Sequence, residues 1–281
     1  MKFIVLLFTV LLQRQTKQQG YQRNNGWYLR LLKPFKLEQM GTRGQILVYS
    51  LLVGLPCLLI SFGLNYLSGV IGTIVSIVVQ VLLFLYILGR DDFSSRFKDY
   101  KGCWGRQDYQ GAYHCAQQFL SVQEQAQSQT PLQLHQSVQQ AIVMAWFKRF
   151  FVFAFWFLVA GVSGALLCLL TFWFYTQSNA LWVKSLLHAL AWAPVRLLAV
   201  SIALAGDFVQ SFSTASRFMF DFESSSQHVL QETMFKHDER TDESFDCTQA
   251  VSELEESNQL MQRCAVIWLL VVACLTVFAG F

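Results

Sequence analysis

From Gly44 to Gly89 the chain contains no charged residue, and almost every position is apolar or small. A membrane-spanning helix needs about 20 consecutive apolar residues, and a water-soluble domain needs no uncharged run of this length. Two spans fit into this run, with a break near residues 65–69. The sequence therefore predicts a chain that lies in a lipid bilayer.

Further apolar stretches follow the same pattern. They are Phe150–Phe174, Ser185–Gly206 and Cys264–Phe281, and residues 3–12 form a shorter one behind Lys2. We expect residues 3–12 to be a short retained helix, with a secretory signal segment or an interfacial helix as the alternatives. With 54% hydrophobic and 14% charged residues, the predicted fold class is all-α. The chain is predicted to be a polytopic integral membrane protein with five to six transmembrane helices and small helical cytoplasmic lobes.

Basic residues are concentrated in two segments. One lies between the short apolar stretch 3–12 and the uncharged run that begins at Gly44, and we call it the basic connector. The other follows Gly89. Because lysine and arginine mark the cytoplasmic side of membrane proteins, we expect all three long polar segments to face the cytoplasm. Lys184 is an exception, since it lies in a connection predicted to be external. The predicted divisions are 1–89 (N-terminal helix, basic connector and two spans), 90–149 (helical cytoplasmic lobe), 150–206 (spans), 207–263 (acidic cytoplasmic segment) and 264–281 (final span).

Helical patterns are visible in the first polar block. Phe97, Tyr100 and Trp104 recur at helical spacing, Asp108 is a suitable N-cap for a second helix, and Thr130 followed by proline is typical of the start of a third. The second block, from residue 207 to 263, is acidic. The acidic block could dock on the basic one, or its acids could simply be a solvated helix face.

Seven cysteines are present. Those in the predicted cytoplasmic segments are Cys103, Cys115 and Cys247, where stable disulfides are disfavoured. The chain has no Cys-x-x-Cys and no His or Cys pair at zinc-ligand spacing. We therefore expect no metal site, and the sequence indicates no particular cofactor.

Arg196 is the one charge in an otherwise apolar predicted span. Placing it there costs at least ~2.5–3.5 kcal/mol unless it faces a partner or a watery cavity. Pro194 removes a backbone donor and favours a kink beside it. The arginine could hold a phosphate or carboxylate in a cytoplasm-facing pocket, or it could reach lipid headgroups from an interfacial helix. The predicted ligand-binding residues are Arg196, Arg90, Asp91, Arg149, Asp207 and Trp192.

Three stretches carry a resemblance to a known family. The first runs from Gly89-Arg90-Asp91-Asp92-Phe93 to Ala112, and the second from Trp146-Phe147-Lys148-Arg149 to Ala165. The third is Trp192-Ala193-Pro194-Val195-Arg196-Leu197 with the following residues 203–208. In these stretches and in the order of its spans the chain resembles the AmpE family, in the wider group of the cobalamin-biosynthesis proteins CobD and CbiB.

The resemblance implies a regulatory protein of the bacterial inner (cytoplasmic) membrane that is linked to β-lactamase induction and cell-wall sensing. Its expected partners are the lipid bilayer, a cytoplasmic or membrane protein and an anionic small molecule, with no nucleic acid among them. The enzymatic branch forms an amide, but its Gly-Asp-Pro after the first helix is replaced here by residues 11–15, Leu-Leu-Gln-Arg-Gln. No catalytic residues are therefore assigned. An active CobD/CbiB-like ligase is the alternative, and a transporter is a second alternative.

Overall fold

The structure is a computed structural model that describes residues 5–9, 12, 26–66, 69–89, 93–118, 120, 130–206, 208–234 and 247–279. These residues form helices and turns, and no strand occurs among them. The helices are α1 Gly26–Leu32, α2 Thr42–Tyr49, α3 Leu55–Tyr66, α4 Gly69–Leu88, α5 Phe93–Gly105, α6 Tyr109–Ala116, α7 Pro131–Trp146, α8 Val152–Ser178, α9 Leu181–Ala205, α10 Phe208–Arg217, α11 Ser226–Met234 and α12 Cys247–Ala279.

Among the residues that the structure describes, five stretches of helix are long and apolar enough to cross a membrane. They are Thr42–Leu64, Ile71–Leu88, Pro131–Ser178, Leu181–Ala205 and Gln249–Thr276. They include the five spans predicted from hydropathy and confirm the all-α, multi-pass membrane class. Of residues 3–12 the structure describes only 5–9 and 12, so a sixth span stays a prediction.

The chain divides into two compact units. The first comprises Met1–Arg90, Arg149–Pro194 and Trp268–Phe281, and the second comprises Asp91–Lys148 and Val195–Ile267. Nearly all the acidic residues belong to the second unit, since Glu38 is the only Asp or Glu whose position falls in the first. The first unit is therefore basic and apolar, and the second carries both signs of charge.

In the first unit α2, α3 and α4 pack against α8. The Phe84 ring lies 4.5 Å from the Phe157 ring, and both side chains are fully buried. Tyr49 and Thr171 share a hydrogen bond of 2.9 Å between their hydroxyl groups. Lipid tails are as apolar as the helix side chains, so the hydrophobic effect does little to drive two helices together inside a bilayer. Close ring packing and polar contacts of this kind therefore hold membrane helices together.

The α8 helix is kinked at Gly161. There φ is 69° and ψ is −162°, a combination that only glycine adopts readily. In a straight helix Trp173 would lie about 24 Å beyond Phe157. However, Phe157 packs on Phe84 at one end of α4, and the Trp173 ring is only 6.4 Å from Tyr86, near the same end. The hydropathy pattern did not predict this kink, because it marks residues 150–174 as one uninterrupted apolar stretch.

Residues of the basic connector pack against the C-terminal end of α4. Trp27 donates its indole N–H to the Tyr86 hydroxyl at 2.7 Å, and the rings of Tyr28 and Trp173 are 5.6 Å apart. At the same end of α4, Arg149 donates to the Gly89 carbonyl at 3.1 Å. Basic and aromatic side chains therefore gather around one end of α4.

The second unit has its own apolar core, formed by α5, α6, α7 and the first part of α12. The core residues are Tyr100, Cys103, Trp104, Ala112, Ala116, Leu120, Leu134, Val138, Ile142 and Leu254. The predicted caps are confirmed. Asp108 accepts from the Gly111 N–H at 2.8 Å, and Thr130 accepts from the Gln133 N–H at 3.3 Å, with Pro131 in the first turn.

The acidic and basic blocks dock on each other in this unit, which was one of the two alternatives. Lys101 and Glu255 form an ion pair, and Glu253 lies 3.1 Å from the ring of the buried His135. The last helix begins at Cys247 rather than at Cys264, because no glycine or proline interrupts residues 247–263. The acidic block and the final span therefore share one continuous helix.

Candidate functional site

Arg196 lies on α9, nine residues before its last residue, Ala205. The helix continues through Pro194 without a break. The arginine is only 4% exposed, so its charged group is removed from solvent. Because an arginine in such a place needs acceptors for its N–H groups, its partners decide its role.

The guanidinium of Arg196 bonds to the backbone of the turn that joins α10 to α11. Its Nε donates to the Phe218 carbonyl at 3.3 Å, and its Nη2 donates to the Asp221 carbonyl. We call this set of contacts the Arg196 latch. The latch fastens the 218–221 turn to a membrane helix and uses carbonyl dipoles where an anion could otherwise bind.

The side chain of Asp221 also stabilises the turn, through hydrogen bonds with the residues that follow it. Its carboxylate accepts from the hydroxyl of Ser224 and from the backbone N–H groups of Glu223, at 2.9 Å, and Ser224, at 3.3 Å. These hydrogen bonds, that of the Ser224 hydroxyl above all, lower the pKa of Asp221 below its ordinary value. The carboxylate is therefore ionised at neutral pH and holds the turn in shape.

An open cavity of about 400 Å³ lies beside the latch. It carries both signs of charge together with an imidazole, and Phe218 at its wall contacts His228 edge-on at 5.5 Å. Such a lining suits a polar ligand whose acidic group binds the guanidinium of Arg217. The lining residues are Arg217, Phe218, Asp221, Ser224, His228 and Glu232.

The other predicted ligand residues fall in different places. Arg149 and Trp192 belong to the first unit and Arg196 to the second. Arg149 is half-buried with its guanidinium on the Gly89 carbonyl, and Trp192 is half-buried on α9, one turn before Arg196. Arg90, Asp91 and Asp207 lie outside the described residues, so a ligand site that they share with Arg196 stays a prediction.

Sequence reasoning missed Arg217, His228 and Glu232 as neighbours of the latch. They belong to the segment of residues 207–263, which the charge pattern marked as acidic without indicating a site. No spacing rule joins residue 196 to residues 217–232, because they are more than 20 positions apart and meet only through the contacts of Arg196 with the 218–221 turn. Within the described part of the chain, no group of three or more His, Cys, Asp or Glu side chains is placed to hold a metal ion.

Comparison with known proteins adds one finding. The sequence model of the family described as "Regulatory signalling modulator protein AmpE" matches residues 4–281. The chain belongs to the AmpE family. The AmpE match takes in all five apolar helices and the latch, and so covers residues of both compact units. No curated protein and no solved structure matches the chain.

Proposed function

We propose that this AmpE family protein is a regulatory component of the bacterial inner membrane that relays a cell-wall-linked signal controlling β-lactamase induction. The observation that carries the proposal is the AmpE family match over residues 4–281, whose description is that of a regulatory signalling modulator. The five membrane-crossing helices support a place in the bilayer. The mixed-charge second unit supplies a polar surface for a protein partner.

The test is genetic. Deleting the gene from a bacterium with an inducible β-lactamase is expected to lower the ratio of β-lactamase activity with and without a β-lactam inducer, because the relay is lost. Supplying the wild-type gene on a plasmid should restore the ratio. An unchanged ratio in the deletion strain, with the protein detected in the parent strain, would refute the regulatory role.

We further propose that an anionic ligand acts at the Arg196 latch. A carboxylate or phosphate binds a guanidinium more strongly than a carbonyl does. An anion that enters by way of the adjacent cavity would therefore compete with the Phe218 and Asp221 carbonyls. Winning that competition would release the 218–221 turn, and the loosened turn would be the signal passed to a partner.

The proposed orientation places the two polar blocks, residues 90–149 and 207–263, in the cytoplasm, in accord with the basic residues of the connector and the first polar block. A cysteine in place of Gln110, which is exposed on α6, is expected to react with a membrane-impermeant maleimide only after the cytoplasmic side is opened. A cysteine in place of Tyr66, which is 81% exposed at the end of α3, is expected to react from outside intact cells. The reverse pattern would invert the topology.

A further inference from the structure

Two thiols face each other between α5 and α6. The Sγ atoms of Cys103 and Cys115 are 3.7 Å apart, which is sulfur–sulfur contact without a bond. Cys103 is 5% exposed within the core of the second unit, and Cys115 is half-buried. A small reagent can therefore reach one member of the pair, while the other lies directly behind it.

A cationic group lies beside the pair. Arg106 directs its Nη2 to the Cys103 sulfur at 3.7 Å. Burial, followed by the hydrogen bond with Cys103, raises the pKa of Cys115 to about 11. Cys115 is therefore protonated at neutral pH, and the pair persists as thiols until an oxidant acts on it.

We propose that Cys103 and Cys115 form a reversible disulfide when a peroxide reaches the second unit. One molecule of hydrogen peroxide oxidises the first thiol to a sulfenic acid and leaves as water. The second thiol then attacks the sulfenic sulfur, the Sγ–Sγ bond forms, and a second water leaves with the sulfenic oxygen. The two thiols lose two protons and two electrons in total, and the peroxide accepts them.

The geometry needs little change for this step. A disulfide has sulfur atoms about 2.05 Å apart, so the pair must close by less than the width of one atom. The bond would join α5 to α6 across the turn that Asp108 caps. In reducing compartments disulfides are transient and usually serve redox sensing or catalysis. The inference does not depend on the proposed regulatory role, because its readout is the bond itself.

The experiment uses the full-length protein in liposomes. After treatment with hydrogen peroxide and blocking of free thiols with N-ethylmaleimide, non-reducing peptide mass spectrometry is expected to find the peptides of Cys103 and Cys115 linked. Dithiothreitol should separate them. Because the cross-link restricts local opening of the chain, trypsin cleavage after Arg106 should become about tenfold slower in the oxidised protein.

Matched variants make the result specific. Cys115→Ser and Cys103→Ser should each show no link at the remaining thiol and no change in cleavage on oxidation. The buried thiols Cys57 and Cys168 of the first unit should stay unlinked under the same treatment. Recovery of Cys103 and Cys115 as separate peptides after oxidation, whether as thiols or as sulfinic acids, would overturn the proposal.

Discussion

The Arg196→Leu variant is expected to insert into the membrane at wild-type levels but to lose β-lactamase regulation. Leucine suits an apolar span but removes the guanidinium that donates to both the Phe218 and the Asp221 carbonyl. The Phe218 carbonyl keeps the Asp221 N–H as a donor, at 3.3 Å. Because each hydrogen bond lost from a charged donor is worth about 1.5–3 kcal/mol, the turn should detach from α9. Two measurements check this: the β-lactamase induction ratio, and trypsin cleavage after the exposed Arg217 in membrane vesicles, which should accelerate.

Two companion variants separate the latch from a general need for charge. Arg196→Lys keeps the cation but lacks the planar fork that reaches two acceptors, so it should restore regulation only in part. Lys184→Leu removes an exposed cation from the same helix and should behave as wild type. If Arg196→Leu regulates normally while it is present in the membrane, neither the latch nor an anion at Arg196 belongs to the mechanism.

The second large effect is expected at Leu254, which joins the last helix to the apolar core of the second unit. Its side chain is 0% exposed and packs in the cluster with Tyr100, Trp104 and Val138. Leu254→Ala should lower the free energy of opening of this unit by about 2–5 kcal/mol, because the lost methyl groups leave a cavity. Hydrogen exchange at the α5 and α7 amides of the full-length protein measures this quantity.

The neighbouring residue provides the control. Glu255 pairs with Lys101 at the surface, where the two side chains are 47% and 32% exposed. Glu255→Ala should therefore change the same free energy by only ~0.2–1 kcal/mol, and added salt should reduce the difference further. Equal effects of the two substitutions would mean that the blocks are held together by charge rather than by apolar burial.

Several parts of the fold could be predicted from local patterns. The uncharged run from Gly44 to Gly89 contains most of two of the apolar helices. These were predictable because a membrane span is recognised from the hydropathy of about 20 consecutive residues, which the local sequence alone determines. The caps at Asp108 and Thr130 were also predictable, since a cap acts within three residues of itself. Short sequence motifs likewise carry the resemblance to the AmpE family, which the family match confirms.

The candidate site was only partly predictable. The sequence singled out Arg196 because a charge in an apolar helix must find a partner. It did not indicate that the partner would be backbone, at the Phe218 and Asp221 carbonyls. Backbone acceptors are present at every residue and leave no trace in composition, so only the path of the chain shows which ones meet the guanidinium.

Hydropathy, charge and capping, which act over neighbouring residues, were therefore enough to establish a helical, multi-pass membrane protein. The AmpE family followed from the resemblance of three sequence stretches and from the family match. Contacts between distant residues required the folded chain. The joining of the acidic and basic blocks around Leu254, the Arg196 latch and the contact between Cys103 and Cys115 are all of this kind. Each depends on two segments meeting in space, and that meeting is decided by how the helices pack as a whole.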